Sequence, residues 1–579
     1  MKKFLIGLAA GFVLAILVGI VLLLTLAFLA APRTVVEEGS TLVATISGEI
    51  PEKPPIVVPF PAFEAKAPLT VRELWSAIRA AAEEPKVEAL VLMPAGVRAG
   101  WGKLYELREA LEAFKESGKP LVAYLRHPGA REYYLASVAD ELYLAPEDLL
   151  DLKGLRIEAM YLRKTLDKLG VEVEIEHAGK YKDAGDIFTR DSMSPATREV
   201  LDSILDVMYG RLVESIAEAR DMEPDEVRAL LDEGPFLATR AKEVKLVDDL
   251  LYEDELFDRM KERLGQEKIR KLNIKNYARH VASQERSSGR PKIALLVGSG
   301  AIIRGSGDRF GDDGALWSRK FIRTVRRLRE DDSVRGVILR IDSPGGDAVA
   351  SDEILRELRL LSKKKPLVVS MSDVAASGGY YIAMTGDPIV AYPGTFTGSI
   401  GVLYGKANLR GLYDKLGVRK EILKRGRFAD IDSDYRPLGP EGRAKLREGI
   451  EAVYASFLAR VAEGRKREVD EIRPLAEGRV WLGVQAKENG LVDELGGLDR
   501  ALELVKEKAG IAPEERVALA PYPGRKTLWE VLLTPEVETL FDARIAAVLP
   551  EDLRPFAGAL RLLGRGGLLR WMPYRLELH

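Results

Sequence analysis

Asp167-Lys168-Leu169-Gly170-Val171 recurs 247 positions later as Asp414-Lys415-Leu416-Gly417-Val418, and this repetition decides how the rest of the chain is read. The same offset carries Tyr133-Tyr134-Leu135-Ala136 onto Tyr380-Tyr381-Ile382-Ala383. Farther along, Leu246-Val247-Asp248-Asp249-Leu250 matches Leu491-Val492-Asp493-Glu494-Leu495 at an offset of 245, as small loop insertions would cause. A chain of 579 residues exceeds one ordinary core. The duplication says how it is divided: one unit is written twice.

In each copy an apolar run of strand length, Ala89 to Met93 and Gly336 to Ile341, leads through a helical pattern to another such run, Leu121 to Leu125 and Leu367 to Met371. That alternation predicts βαβ units and a largely parallel sheet in an α/β fold. The expected organisation is an anchor over 1–32, a first repeat over 42–270, a linker over 271–291, a second repeat over 292–520 and a tail over 521–579 with no counterpart in the first repeat. The linker rests on the polar stretch Ser283 to Arg290.

After Lys2 and Lys3, Phe4 to Ala31 contains no charged residue, longer than the roughly 20 residues that span a bilayer. A cleaved signal peptide would have a shorter apolar core and a small-x-small exit, but Leu29 stands two positions before Ala31 and Phe28 two positions before Ala30. The stretch therefore predicts a transmembrane helix, and the lysine pair keeps the short end in the cytoplasm with the rest outside. In the tail, Ala557 to Arg575 fits a helix on the membrane surface or an ordinary packed helix.

Composition narrows the chemistry. With 87 basic against 89 acidic side chains, a formal net charge of −2, there is no positive charge excess to attract nucleic acid. The absence of cysteine removes thiolate nucleophiles and Cys-ligated metals, and four histidines leave little for a histidine base or a His-rich metal site. No cofactor or metal is expected.

Two asymmetries between the repeats then stand out. In the second, Asp342-Ser343-Pro344-Gly345-Gly346-Asp347 follows a buried strand, a turn whose backbone N–H groups can face a ligand unhindered. Downstream, Ala375-Ala376-Ser377-Gly378-Gly379 puts Ser377 at a strand-to-helix junction, where a hydroxyl is either a nucleophile or an N-cap. The first repeat has Ala130 at the position of Ser377 and Val97-Arg98-Ala99 at the turn. The opposite asymmetry lies at Gly179-Lys180-Tyr181-Lys182-Asp183, matched by Gly426-Arg427-Phe428-Ala429-Asp430. One half keeps a serine and the other a lysine, Lys182, while Lys180 and its basic partner Arg427 read as solvated charges. A lysine with the ordinary pKa is neutral in only about one molecule in 2,500 at pH 7, so a lysine base must be desolvated. A closed interface between repeats can do that.

With these residues, with Thr397-Gly398-Ser399-Ile400-Gly401, and with Tyr181-Lys182 ahead of Asp191-Ser192-Met193-Ser194-Pro195, the sequence resembles the signal peptide peptidase A family in its long, two-repeat form. The resemblance runs from the anchor to about residue 520. It implies a tandem pair of Clp-protease and crotonase-like βαβ spirals, with Ser377 as nucleophile and Lys182 as general base. It also implies an oxyanion hole from Gly378, Gly345 and Gly346, and Ser399 orienting the lysine. The implied protein is a serine endopeptidase, a homotetramer held to membrane lipid on the outer face of the cytoplasmic membrane, that degrades signal peptides left after cleavage. The chain departs from the family where Asp-Ala-Gly-Asp follows Lys182 in place of the more usual Ser-Ala and Glu-Pro pairs. Two other readings compete: a crotonase-type acyl-CoA enzyme, and a catalytically silent membrane scaffold. A scaffold would not require a serine in one repeat and a lysine in the other.

Overall fold

The computed structural model describes residues 35–54, 67–307, 314–522 and 568–572, with Gly11, Gly19 and Gly524. The anchor expected over 1–32 otherwise lies outside them, and no helix among the described residues is long and apolar enough to cross a membrane.

The first repeat runs β1 (Ser40–Glu49), α1 (Val71–Glu83), β2 (Val87–Arg98), α2 (Trp101–Glu116), β3 (Leu121–Leu125), α3 (Ala130–Ala136), β4 (Glu141–Leu144), β5 (Glu172–Ala178), α4 (Pro195–Arg220), β6 (Asp249–Leu250), α5 (Glu253–Leu264), β7 (Arg270–Asn273) and α6 (Ile274–Ser287). Its sheet has the order β6-β4-β3-β2-β1-β7, every pairing parallel. The second repeat runs β8 (Lys292–Ser299), α7 (Ser318–Glu330), β9 (Val334–Ser343), β10 (Gly345–Asp347), α8 (Ala348–Ser362), β11 (Leu367–Ala376), α9 (Gly378–Ile382), β12 (Ile389–Ala391), β13 (Phe396–Gly398) and β14 (Val402–Asn408). It continues through α10 (Pro440–Arg465), β15 (Val480–Leu482), β16 (Glu494–Leu495), α11 (Leu498–Lys508) and β17 (Ala518–Tyr522), and β18 (Leu568–Trp571) follows in the tail. The second sheet repeats the order at its centre, β11-β9-β8-β17, all parallel. Buried on both faces, its strands are near-continuous apolar runs, as parallel strands must be.

Two expectations change. The stretch 271–291, expected as a linker, is built into the first repeat: β7 pairs with β1, and α6 packs Ile274, Tyr277, Ala278 and Val281 inward against α1. The polar residues that suggested a linker are the solvent side of an amphipathic helix. In the tail, Leu568–Trp571 is a strand, not a helix, pairing antiparallel with both β10 and β14. Strand β17 also brings 518–522 into the second sheet, so the tail begins inside it.

The repeats meet along α2. Asp373 on β11 accepts from the N–H groups of Gly100 (3.1 Å) and Lys103 (2.8 Å), so a carboxylate of one repeat caps a helix of the other. Gly102 permits the approach, since a Cβ there would lie 2.6 Å from the Ser372 carbonyl oxygen. Beside it Arg340, in the middle of apolar β9, pairs with Glu52 (3.1 Å) and Glu106 (2.9 Å) from the first repeat, all fully buried. Tyr392 donates to Glu106 (3.1 Å) and Glu109 (2.7 Å).

Removing the guanidinium would strand two buried carboxylates, so Arg340→Ala is expected to cost about 3–5 kcal/mol, read as a lowered urea midpoint. Burial, reinforced by Glu106, pushes the Glu109 carboxyl from an ordinary 4.5 up to about 7. The folded state thus holds a proton that the unfolded chain has released. The associated stability is full below the ordinary value and is lost as pH rises toward 7. Glu109→Gln should therefore flatten the fall in melting temperature between pH 5 and 7 relative to wild type.

Candidate active site

Ser377 follows the last residue of β11 and stands before the first residue of α9. Its N–H donates to Gly398 O (2.8 Å) and its carbonyl accepts from Tyr381 N (2.8 Å), which pins the backbone at φ 54°, ψ −114°. A residue with a Cβ pays strain there. The N-cap alternative raised by the sequence does not describe the side chain, which makes no capping bond to the helix. Its Oγ instead lies 2.8 Å from Lys182 Nζ.

Lys182 reaches the second repeat because β5 leaves its own sheet. That strand pairs antiparallel with β14 along its length, from Glu172↔Asn408 to Ala178↔Val402, and the turn at Gly179 then delivers the lysine to the serine. Lys182 Nζ also contacts Ser399 Oγ and Ser399 O, each at 2.9 Å, and Lys182, Ser377 and Ser399 are all fully buried. Three oxygens around one nitrogen suit an ammonium donating three protons, or a neutral amine donating two and accepting a hydroxyl proton. Ala429, the counterpart of Lys182, sits in an exposed loop.

Gly345 (φ 98°) and Gly346 (φ 154°) pass directly beside Gly378, where a Cβ would lie 3.1 Å from both Gly345 Cα and Gly346 N. The Gly345 N–H donates to Ser343 Oγ (3.2 Å), while Gly378 opens α9 and has no preceding turn to take its N–H. In the first repeat Glu132, counterpart of Gly379, accepts from Val97 N (2.6 Å) and Gly129 N (3.0 Å). A carboxylate there occupies the place where the second repeat offers bare backbone.

Next to the glycine turn, Lys103 pairs with Asp342 (2.8 Å) and Asp373 (3.0 Å). Burial opposes its ammonium, but the two carboxylates outweigh burial and hold its pKa above the ordinary lysine range. This lysine is locked in its charged form. Sequence reading missed this cluster and the Arg340 network. Arg340 was the available signal, a charge inside an otherwise apolar strand.

The profile of peptidase family S49 matches residues 113–267 and 359–512, one stretch in each repeat. The chain belongs to peptidase family S49. It is 36% identical to the chloroplastic serine protease SPPA of Arabidopsis thaliana, over 85% of this chain and 72% of that one. It is 31% identical to Protease 4 of Salmonella typhi, over 85% of this chain and 80% of that one. A relative from Enterococcus faecium, named for signal peptide peptidase SppA, is 35% identical over 39% of this chain and 65% of its own. A ClpP1 mutant structure from Listeria monocytogenes aligns with 38% of this chain and 98% of its own at 15% identity and TM-score 0.24, too weak a likeness to bear on the fold. This S49 chain is a serine protease of mixed α/β fold that acts on peptides, and the acyl-CoA and scaffold readings give way to that.

The strain at Ser377 can be measured in this S49 chain without reference to activity. Ser377→Gly and Ser377→Ala both lose the hydroxyl, but only glycine relaxes the backbone. The glycine variant should be the more stable by about 1 kcal/mol in urea unfolding.

Proposed function

We propose that Ser377 is the nucleophile and Lys182 the general base of this serine endopeptidase, and that its substrates are signal peptides released from preproteins. The observation that carries the dyad is the 2.8 Å contact between Lys182 Nζ and Ser377 Oγ, buried between the two repeats. Complete burial favours the neutral amine that a base requires. In the proposed reaction the amine takes the Ser377 proton as Oγ attacks the scissile carbonyl carbon, and returns it to the departing amine. Water, deprotonated by the same lysine, then releases the acyl group. The oxyanion formed in each half is met by backbone N–H groups of Gly378 and the Gly345/Gly346 turn, with Gly378 the least encumbered donor. Ser399, contacting Nζ through two oxygens, orients the base.

Support for signal peptides comes from the name of the Enterococcus faecium relative and from the apolar stretch Phe4 to Ala31, which would hold the protease at the membrane where such peptides remain. The Clp-like and crotonase-like spiral belongs to the same proposal, as does assembly into a homotetramer. For assembly, the support is a face of the first repeat. Met93, Ala95 and Arg126 are the counterparts of Arg340, Asp342 and Asp373, which α2 of the first repeat covers, yet they line an open pocket of about 410 Å³ with Lys271 and Glu253. On α8, the counterpart of α2, Val349, Asp352, Glu353 and Arg356 are exposed. Arg126 and Lys271 on the open face would meet Asp352 and Glu353 on α8 of a second copy, which gives the two surfaces opposite charges to pair.

Hydrolysis of a synthetic signal peptide tests the dyad. Ser377→Ala and Lys182→Ala should each abolish it while leaving the fold and the oligomer intact, and a fluorophosphonate should label wild type at Ser377. Substantial activity in Lys182→Ala would sink the proposal. The wild-type rate should rise with pH to a midpoint below that of a free lysine.

A further inference from the structure

The loop Ala476-Glu477-Gly478-Arg479 lies between the two segments that meet at Lys182 Nζ, and the chemistry above makes no use of it. Toward the lysine, Tyr181 N donates to Glu477 O (2.7 Å) and Lys180 N to Glu477 Oε2 (2.9 Å). Toward Ser399, the Ser399 N–H donates to Arg479 O (2.7 Å), and Gly478 N donates to Ile400 O (2.9 Å). Three of these four contacts are made backbone to backbone, and the fourth takes the Lys180 N–H to the Glu477 carboxylate. A Cβ on Gly478 (φ 80°) would lie 2.6 Å from Lys182 N and Cβ, and one on Gly179 would lie 2.5 Å from the Glu477 carbonyl carbon.

The side chain of Arg479 closes the arrangement. It pairs with Glu199 Oε1 (2.8 Å), the same oxygen that accepts from Tyr181 Oη (2.8 Å). Its guanidinium lies 5.3 Å from the Tyr181 ring centre and 4.5 Å from that of Trp481. One residue thus holds Ser399 through its carbonyl and Tyr181, the neighbour of the lysine, through its guanidinium. At the offset of 245, the first repeat has Asp232-Glu233-Gly234 in place of Glu477-Gly478-Arg479. The glycine and the arginine stand in the half that receives the lysine.

We infer that Arg479 is a positioning residue for the general base, setting Lys182 between Ser377 and Ser399 and keeping water from its amine. This rests on the reading of Lys182 as base. Arg479 touches no reacting atom, so its loss should act through the lysine. With the guanidinium gone, Tyr181 and the Lys182 loop lose a tether, the amine hydrates and its ammonium form becomes easier to hold. The pH at which activity rises then moves upward.

The test compares pH–rate profiles of wild type, Arg479→Ala, Arg479→Lys, Glu199→Ala and the Arg479→Ala/Glu199→Ala pair on one peptide. Arg473→Ala serves as the control, a more exposed arginine on the same segment. Arg479→Ala should lower kcat about tenfold with KM little changed, and shift the midpoint toward alkaline pH. Arg479→Lys keeps the charge but not the planar stack, and should fall between it and wild type. The double variant should be no worse than the poorer single one, because both remove one tether. A wild-type midpoint in Arg479→Ala overturns the inference even if kcat falls, since a purely structural loss leaves the profile in place. If that variant does not fold, the midpoint of Arg479→Lys decides in the same way. Activity retained in Lys182→Ala is a separate result, and it removes the base itself rather than its positioning.

Discussion

Arg340 holds a full charge where no water reaches it, and much of the molecule is arranged so that it can. Glu52 and Glu106 supply the countercharge, the hydroxyls of Ser370 (2.9 Å) and Ser372 (3.2 Å) accept further hydrogen bonds from the guanidinium, and both carboxylates come from the other repeat. Such a network returns little net stability, because the desolvation of each ion offsets most of the attraction. It does impose position. Apolar surfaces slide over one another at small cost, whereas a guanidinium between two carboxylates has one satisfactory place. With Asp373 capping α2 and glycines at 100 and 102 allowing close approach, the seam fixes one repeat against the other. On the far side of the second repeat, β5 crosses into foreign strands and brings Lys182 along. A side chain that must stand 2.8 Å from a hydroxyl in another repeat needs both attachments.

The two repeats differ most where they once had the same part to play. Ala130 and Glu132 stand for Ser377 and Gly379, and Ala429 stands for Lys182. Glu132 goes beyond the loss of a residue, because its carboxylate bonds the N–H groups of Val97 and Gly129 and puts negative charge at the old turn. Under the proposed mechanism, each half has given up what the other provides.

The duplication, the parallel strands and the complementary serine and lysine were legible because they are local in sequence or recur at a fixed offset. What escaped were relations across the seam. Glu52 and Glu106 look like ordinary surface acids until Arg340 is placed opposite them, and Glu477 to Arg479 look like a turn. Helix α6 was hidden by reading only its polar end, although Ile274, Tyr277, Ala278 and Val281 carry helical spacing. The strand at 568–571 had no sequence signal of its own, since its hydrogen-bonding partners lie more than 150 residues away. Periodicity can report a face, but it cannot name the surface that face will meet.

The left-handed backbone of Ser377 has an evolutionary reading. Ala130 occupies the equivalent place in the first repeat as an ordinary helical residue, without the positive φ. Selection for folding alone removes a cost that yields nothing, and in that half it has done so. In the second half the cost has persisted. The two halves share one chain and one repeated pattern, so each serves as the control for the other, and under the proposed mechanism their difference ties the strain to function rather than to the fold.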